Sequence, residues 1–299
     1  MSWTAYKLVF EAMSDITIGA DKLGFVQRTR YYIPARNLWG CVTESLTQQK
    51  HPTPTAQNYQ DVGVSVAKSC KFSYLFLTDD GTVVMPWCVS ESNGIHGIDP
   101  DKFERLYVSS RPRTAVGPLA SVVDDASLFE FEFLRRCNND GSSLYWTGYL
   151  WVKESTEITV AELRAVLSHI QIGGERRYGF GHLVLRSFEA LVNRTEDSYT
   201  DVFGSKVFCN DQGPCIELEE KRPLPAHLSV AGLNVEMSGA CELLMGRVWT
   251  QTNSHSGPGR HVVPTGLGLC WIPGSFPSVL PESVSPLRVG IADYGVCRF

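Results

Sequence analysis

Residues 170–185 read I-Q-I-G-G-E-R-R-Y-G-F-G-H-L-V-L, with two adjacent arginines, Arg176 and Arg177, and two aromatics, Tyr178 and Phe180, set among Gly173, Gly174, Gly179 and Gly181. Glycine has no Cβ and tolerates positive φ, so such a loop lets backbone N–H groups approach an anion closely. The arginines add long-range attraction. Gly174 and Gly179 have the spacing of a phosphate-binding P-loop, but Phe180 and Gly181 stand where that motif needs Lys and Ser or Thr. Nothing would reach the outer phosphates or a magnesium ion, which argues against mononucleotide hydrolysis. Two readings remain for the residues alone: a loop that grips a phosphodiester backbone, or a glycine-rich connection whose arginines are solvated.

Other reactive residue types are less suggestive. Cys209 and Cys215 have five residues between them, as do His255 and His261, and neither pair has the tight spacing of a structural zinc site. No catalytic residue, metal ligand or cofactor is expected from these patterns. The nine cysteines contain no C-x-x-C, and Met1-Ser2-Trp3-Thr4 begins no apolar run, so a reducing, cytoplasmic setting is expected. No segment approaches the ~20 apolar residues of a bilayer span, and no membrane partner is expected.

Hydrophobic residues make up 43% of the 299 and charged residues 20%, the composition of a folded chain long enough for two units. The net charge of −5 argues against a free-standing nucleic-acid binder. The basic residues nevertheless come in groups, Arg28 with Arg30, Arg111 with Arg113, Arg135 with Arg136 and Arg176 with Arg177, while acids such as Glu217, Glu219 and Glu220 lie elsewhere. That distribution suits an assembly subunit with one basic seam.

The elements that would position the loop follow from periodicity. Tyr6, Leu8, Phe10 and Ala12 alternate with Lys7 and Glu11, which predicts a first strand. A polar loop over 21–30 carries Arg28 and Arg30. Leu38, Val42 and Leu46 predict a helix over 34–48 with Pro34 in its first turn. Gly40 inside that helix costs up to ~1 kcal/mol relative to alanine, implying close approach by another backbone. Residues 50–127 read as an insertion containing a hairpin about Asp80-Gly81. Arg111-Pro112-Arg113 reads as a solvated loop in preference to an RNA contact.

Phe129, Phe131 and Phe133 on one run, and Tyr145, Tyr149 and Trp151 on another, predict an antiparallel hairpin whose aromatic face packs in a core in preference to stacking bases. Thr159 and Glu162 form a capping box ahead of Leu163, Val166, Leu167 and Ile170, and a closing strand follows over 182–191. The order strand, helix, strand, strand, helix, strand is the ferredoxin-like α+β pattern. Domain boundaries are therefore expected at 1–195, with the insertion, and 196–299 for a second β-rich unit. Within the latter, Gly257-Pro258-Gly259-Arg260 suggests an exposed loop near a strand.

Taken in order, I-G-A-D-K-L-G, Y-I-P-A-R-N-L-W-G, R-T-A-V, D-D-A-S-L-F-E-F-E, W-T-G-Y-L-W-V and I-G-G-E-R-R-Y-G-F-G resemble the RAMP superfamily of CRISPR effector subunits over roughly residues 6–190. The later W-T-Q-T-N, P-G-R-H-V-V-P and W-I-P-G-S are similar to the type III members that cap the guide-RNA 5′ end, a Cas5-like, III-D-like group. The resemblance implies a modified RRM fold and a non-catalytic subunit that holds the repeat-derived 5′ tag of the guide RNA (crRNA). It also implies contact with other effector subunits, including the large polymerase-like one.

Carried over, the RNA-binding loop is Gly173 through Gly181, with Arg176 and Arg177 on phosphate. The segment around Tyr32, Ile33, Pro34 and Arg36 matches the family's Y-I-P-G-S, with Ala35 and Asn37 in place of the Gly-Ser pair. Arginines interleaved with Tyr31, Tyr32, Tyr178 and Phe180 suit splayed bases and phosphates, and Arg28 and Arg30 belong to the same set. Alternatives within the resemblance are a metal-independent guide-processing endonuclease, with His51 as its general base and His182 lying on the closing strand, and a backbone subunit cleaving target RNA through Asp124 or Asp125. A purely structural interaction module, its basic seam meeting acidic protein, is a further alternative.

Overall fold

The computed structural model describes residues 2–87, 95–114, 128–154, 156–191, 199–252, 255–280, 286–292 and 295–298, with main chain alone at 95, 245–252 and 255–267. Strand β1 (Trp3–Ala12) leads to a hairpin of β2 (Gly19–Leu23) and β3 (Val26–Thr29), then the short β4 (Tyr32–Ile33). Helix α1 (Ala35–Lys50) and helix α2 (Ala56–Ser69) precede β5 (Cys70–Phe72), β6 (Leu75–Asp79), β7 (Thr82–Met85) and β8 (Ile95–Gly97). Helix α3 (Pro100–Tyr107), β9 (Val108–Arg113), β10 (Phe129–Leu134), β11 (Tyr145–Lys153), α4 (Val160–Leu167), β12 (His169–Gln171) and β13 (His182–Ala190) complete the first part. The fold is mixed α+β, mostly sheet, with four helices among the described residues.

The main sheet runs β12-β13-β1-β11-β6-β7-β8, with β4 added to β6 and β5 to β11. β1 pairs antiparallel with both β11 and β13, as its alternating pattern allows. α1 lays Leu38, Val42 and Leu46 into the core, and α4 adds Leu163, Val166 and Leu167. The capping box of α4 forms as the sequence implies: Thr159 N–H donates to Glu162 at 2.8 Å, and Glu162 N–H donates to Thr159 Oγ1 at 3.2 Å. The turn at Asp80-Gly81 joins β6 to β7 in register.

Three expectations for this first part are corrected. The runs 129–134 and 145–153 do not pair with each other. β11, almost wholly buried, lies between β1 and the strands β5 and β6. β10 instead pairs antiparallel with β9 and parallel with β3 in a separate sheet of order β2-β3-β10-β9. Alternation identifies a strand but not its partner.

Second, β5 and β6 belong to the main sheet, so residues 50–127 are not wholly inserted outside it. Third, Arg111-Pro112-Arg113 is strand, not loop.

From residue 199 onward the described residues contain β14 (Tyr199–Val202), β15 (Ser205–Asn210), β16 (Gly213–Glu217), β17 (Leu228–Ser229), β18 (Glu236–Ser238), β19 (Cys241–Thr252), β20 (His255–Trp271), β21 (Phe276–Val279), β22 (Arg288–Ile291) and β23 (Cys297–Arg298). All but β18 and β21 form one sheet, β14-β15-β16-β22-β23-β17-β20-β19. Gly257-Pro258-Gly259-Arg260, expected as a loop, runs within β20. The two large sheets share one apolar core, with Phe203 edge-on to Phe76 at 4.8 Å and to Tyr149 at 4.9 Å. Among the described residues no helix is long and apolar enough to cross a membrane.

Candidate nucleic-acid interface

The loop between β12 and β13 is shaped by two glycines that accept no side chain. Gly173 sits at φ +85, where a Cβ would stand 2.3 Å from Thr17 O, and Gly181 at φ +82, where it would stand 1.9 Å from Ile172 O. Both close approaches are hydrogen-bonded. Gly174 N–H donates to Thr17 O at 2.9 Å, Gly181 N–H to Asp15 O at 2.8 Å and Ile172 N–H to Gly181 O at 2.9 Å. Between them Glu175 takes a left-handed conformation and Arg176–Tyr178 make one 3-10 turn, with Tyr178 N–H donating to Glu175 O and Gly179 N–H to Arg176 O. The amides of Gly174, Tyr178, Gly179 and Gly181 are thus spent on the protein itself. The arginine and aromatic side chains of the loop are the other groups that could meet a ligand.

Those side chains divide sharply. Arg176 is paired with Glu44 of α1 at 2.8 Å, and this hydrogen bond, aided by the same charge, raises its pKa against the opposing effect of burial. Arg177 is exposed and has no ion-pair or hydrogen-bond partner among the described residues. Tyr178 is 69% exposed, whereas Phe180 is 4% exposed and packs edge-on against Phe131 at 5.4 Å and Phe133 at 5.5 Å. Phe180 is therefore the loop's anchor and Tyr178 its exposed aromatic.

The face that receives Phe180 is supplied by β9 and β10. In their register Phe131 stands opposite Arg111 and Phe129 opposite Arg113, all on one side by the two-residue period of a strand. Arg111 lies over Phe133 at 5.4 Å and Phe180 at 5.9 Å, keeps a side-chain exposure of 60%, and reaches Asp15 only at 3.9 Å. Arg113 is more enclosed: it pairs with Glu175 and lies 4.5 Å from the Phe131 ring and 3.9 Å from the Tyr178 ring.

Arg136, exposed, donates its backbone N–H to Asp15 Oδ1 at 3.0 Å. Asp15 thereby gathers β9, the residues after β10 and the glycine loop around one point, through Arg111, Arg136 and Gly181. Sequence reading missed Arg113 as a clamp and Asp15 as the organiser. The signal for the first was present, since R-P-R alternates in the same two-residue rhythm as F-E-F-E-F.

The second group of candidate residues lies elsewhere and is internally engaged. Glu132, on the opposite face of β10, accepts from Thr29 N–H at 3.1 Å and lies 3.7 Å from Arg28. Arg28 donates to Glu104 at 2.8 Å and to the Tyr31 hydroxyl at 3.2 Å, while Tyr31 donates to Glu104. Arg30 makes a two-pronged contact with Glu242 of β19, at 2.7 and 3.1 Å, and donates to the Tyr32 hydroxyl at 3.0 Å.

Glu242 also meets His227 Nε2 at 2.6 Å, and His227 Nδ1 meets the Tyr74 hydroxyl at 2.6 Å. A carboxylate only accepts, so the neutral ring carries its proton on Nε2 and Tyr74 donates to Nδ1. Burial holds the Tyr32 phenol up at about 12 and raises that of Tyr74 well above its ordinary value. Tyr32 is 6% exposed, and Arg36 is half-buried in the first turn of α1. The structure therefore brings Gly173 through Gly181 together with Arg111 and Arg113, and sets Arg28, Arg30, Tyr31 and Tyr32 into internal networks away from that face.

The other candidates are quickly placed. His51 is half-buried at the C-terminal cap of α1, its N–H donating to Thr47 O at 2.9 Å. His182 is exposed at the start of β13. Asp124 and Asp125 lie outside the described residues, as do the side chains of His255 and His261. Cys209 and Cys215 are free thiols, and burial raises the pKa of both. The described residues contain no group of three or more His, Cys, Asp or Glu placed to hold a metal ion.

No family model and no curated protein matches this sequence. Among solved structures, the chain is similar to one from the cryo-EM structure of the type III-B Cmr-beta complex bound to cognate target RNA, at 11% identity over 61% of this chain and 96% of that one, with a TM-score of 0.41. A chain of the same complex in its apo state is 12% identical over the same shares, with a TM-score of 0.40. A chain of the complex bound to cognate target RNA and AMPPnP is 8% identical over 90% of this chain and 84% of that one, with a TM-score of 0.46. All three are loose superpositions.

Proposed function

We propose that this chain is a non-catalytic RNA-binding subunit of a type III CRISPR interference complex, and that it holds the repeat-derived 5′ tag of the guide RNA on the face formed by the glycine loop and β9. The observation that carries this reading is the uneven neutralisation of the basic residues. Arg28, Arg30 and Arg176 are paired with Glu104, Glu242 and Glu44 at 2.8, 2.7 and 2.8 Å, whereas Arg111 reaches Asp15 only at 3.9 Å and the exposed Arg136 and Arg177 side chains have no partner among the described residues. A chain with net charge −5 that exposes Arg111, Arg136 and Arg177 around the glycine loop suits a part placed against RNA inside an assembly. The ordered motifs shared with the RAMP superfamily point the same way and add the other effector subunits, including the large polymerase-like one, as partners.

On this reading residues 1–195 are a ferredoxin-like, RRM-derived unit. The sheet order supports it: with β6 taken as the second strand, β13, β1, β11 and β6 follow one another as fourth, first, third and second. The second unit, 196–299, is supported by its own sheet. Arg28, Arg30, Tyr31 and Tyr32 act here through the protein, holding the hairpin and β4 in place. The Tyr32–Arg36 segment is packed under Gly295, where an added Cβ would stand 2.4 Å from Ala35 Cβ.

The test is a salt titration of binding between the full chain and a single-stranded RNA bearing the repeat-derived tag. Arg177→Ala should weaken binding and lower the slope of log affinity against log salt by ~0.7, one phosphate contact on a single strand. Arg176→Ala, whose charge is already answered by Glu44, should change the slope far less. Equal affinity and slope in wild type and Arg177→Ala would remove the loop from the interface. The RNA should also come through incubation intact.

A further inference from the structure

Tyr178 is 69% exposed in a loop whose other aromatic is buried, and one side of its ring is already occupied. The Arg113 guanidinium carbon lies 3.9 Å from the ring centroid, close enough to cover that face, and the same guanidinium touches Phe131 at 4.5 Å and pairs with Glu175. Phe131 is 1% exposed, so the cation behind the tyrosine is fixed to the core. The backbone beneath is fixed as well, by the 3-10 turn of Arg176–Tyr178 and the bonds of Tyr178 N–H to Glu175 O at 2.9 Å and Gly179 N–H to Arg176 O at 3.0 Å.

An exposed aromatic ring is usually free to turn and lie down on its neighbours. This one is held from behind and presents its remaining face to solvent. Next to it in the chain stands Arg177, exposed and without a partner among the described residues. A flat apolar face ready for stacking, beside a single uncommitted cation, is what one unpaired nucleotide requires: base on the ring, phosphate on the guanidinium. The ordering of the ring is met in advance by Arg113 and Glu175, so little conformational entropy is lost on binding.

We infer that the open face of Tyr178 seats one unpaired nucleobase and that Arg113 is the positioning residue that holds the ring for it. The inference rests on the RNA-binding reading above and extends it from phosphate to base. Because stacking uses the π-face, the seat accepts any base, and a charge-based and a stacking-based contribution separate cleanly.

The experiment uses the full chain and a short mixed-sequence single-stranded RNA carrying 2-aminopurine at each position in turn, read by affinity, salt slope and fluorescence. One position should be quenched on binding. Tyr178→Phe should keep both quench and affinity. Tyr178→Ala should abolish the quench and weaken binding roughly ten-fold or more, with the salt slope unchanged because no charge is removed. Arg177→Ala should do the reverse, lowering the slope while the quench persists in the complex that forms.

Arg113→Lys keeps the charge opposite Glu175 but not the flat guanidinium, and should reduce the quench in a protein that still melts cooperatively and still binds the RNA through Arg177. If Tyr178→Ala binds and quenches like wild type while Arg177→Ala loses affinity, the stacking inference is overturned and the RNA reading stands. An unchanged quench in Arg113→Lys overturns the positioning role. Failure of the wild type to bind the RNA at all overturns both.

Discussion

The residues of the glycine loop divide between those that shape it and those left for a ligand. Gly179 and Gly181 have nearly the same backbone angles, φ +84 and φ +82, yet different surroundings. A Cβ on Gly179 meets nothing within 4 Å, while one on Gly181 would be driven into the Ile172 carbonyl. Gly179→Ala should therefore cost only the left-handed backbone penalty, ~1–2 kcal/mol, and leave a functional loop. Gly181→Ala should cost more, break the Gly181 N–H bond to Asp15 O, and displace Arg177 and Tyr178 together. Thermal melting and RNA binding of the two variants side by side check this; equal losses would mean the contact between Gly181 and Ile172 is not what shapes the loop.

Among the elements, the helix pair α1–α2 carries an instructive asymmetry. The sequence implied that Gly40 of α1 marks a close approach by another backbone, but a Cβ there would find nothing within 4 Å. The approach occurs one helix later. Gly63 of α2 lies under Trp39, whose Cζ2 would be 2.8 Å from an added Cβ and whose Nε1 donates to Gly63 O at 3.0 Å. Gly40→Ala should consequently stabilise the protein by about 0.5–1 kcal/mol through the helix propensity of alanine, and Gly63→Ala should destabilise it by displacing the indole. Denaturant midpoints of the two variants should move in opposite directions, and movement in the same direction would contradict the helix packing described.

For the whole molecule, the connection between the two large sheets predicts acid lability. His227 is fully buried, and burial lowers its pKa, with Glu242 only partly offsetting that. The unfolded chain binds a proton near pH ~6.5 that the folded ring refuses, so stability should fall as pH drops below that value. Glu242 adds a second loss. Burial alone would raise its pKa, but His227 and Arg30 outweigh burial and hold it at about 2. Its stabilising contribution is complete above the unfolded value near ~4.3 and disappears as pH falls toward the folded one. Urea unfolding of His227→Gln across this range should show the upper leg flattened, at the cost of lower stability near neutrality where Tyr74 and Glu242 lose their shared partner. An upper leg as steep as in wild type would assign the acid lability to other groups.

Local pattern was enough for much of this protein. The alternation of Leu8, Phe10 and Ala12, the stripe of Leu38, Val42 and Leu46, the Thr159–Glu162 box and the Asp80-Gly81 turn each depend on neighbours a few residues away, and each is formed as the sequence implies. The composition of the glycine loop was equally plain. What the chain did not disclose was pairing over distance. Which strand lies beside β11, which carboxylate meets which arginine, and whether a glycine stands under a tryptophan or under open space depend on groups that meet only when distant segments pack. Arg176 and Arg177 are indistinguishable in the sequence, and tertiary structure alone places Glu44 against one and leaves the other without a partner among the described residues, because an ion pair is made by proximity in space and not by order along the chain.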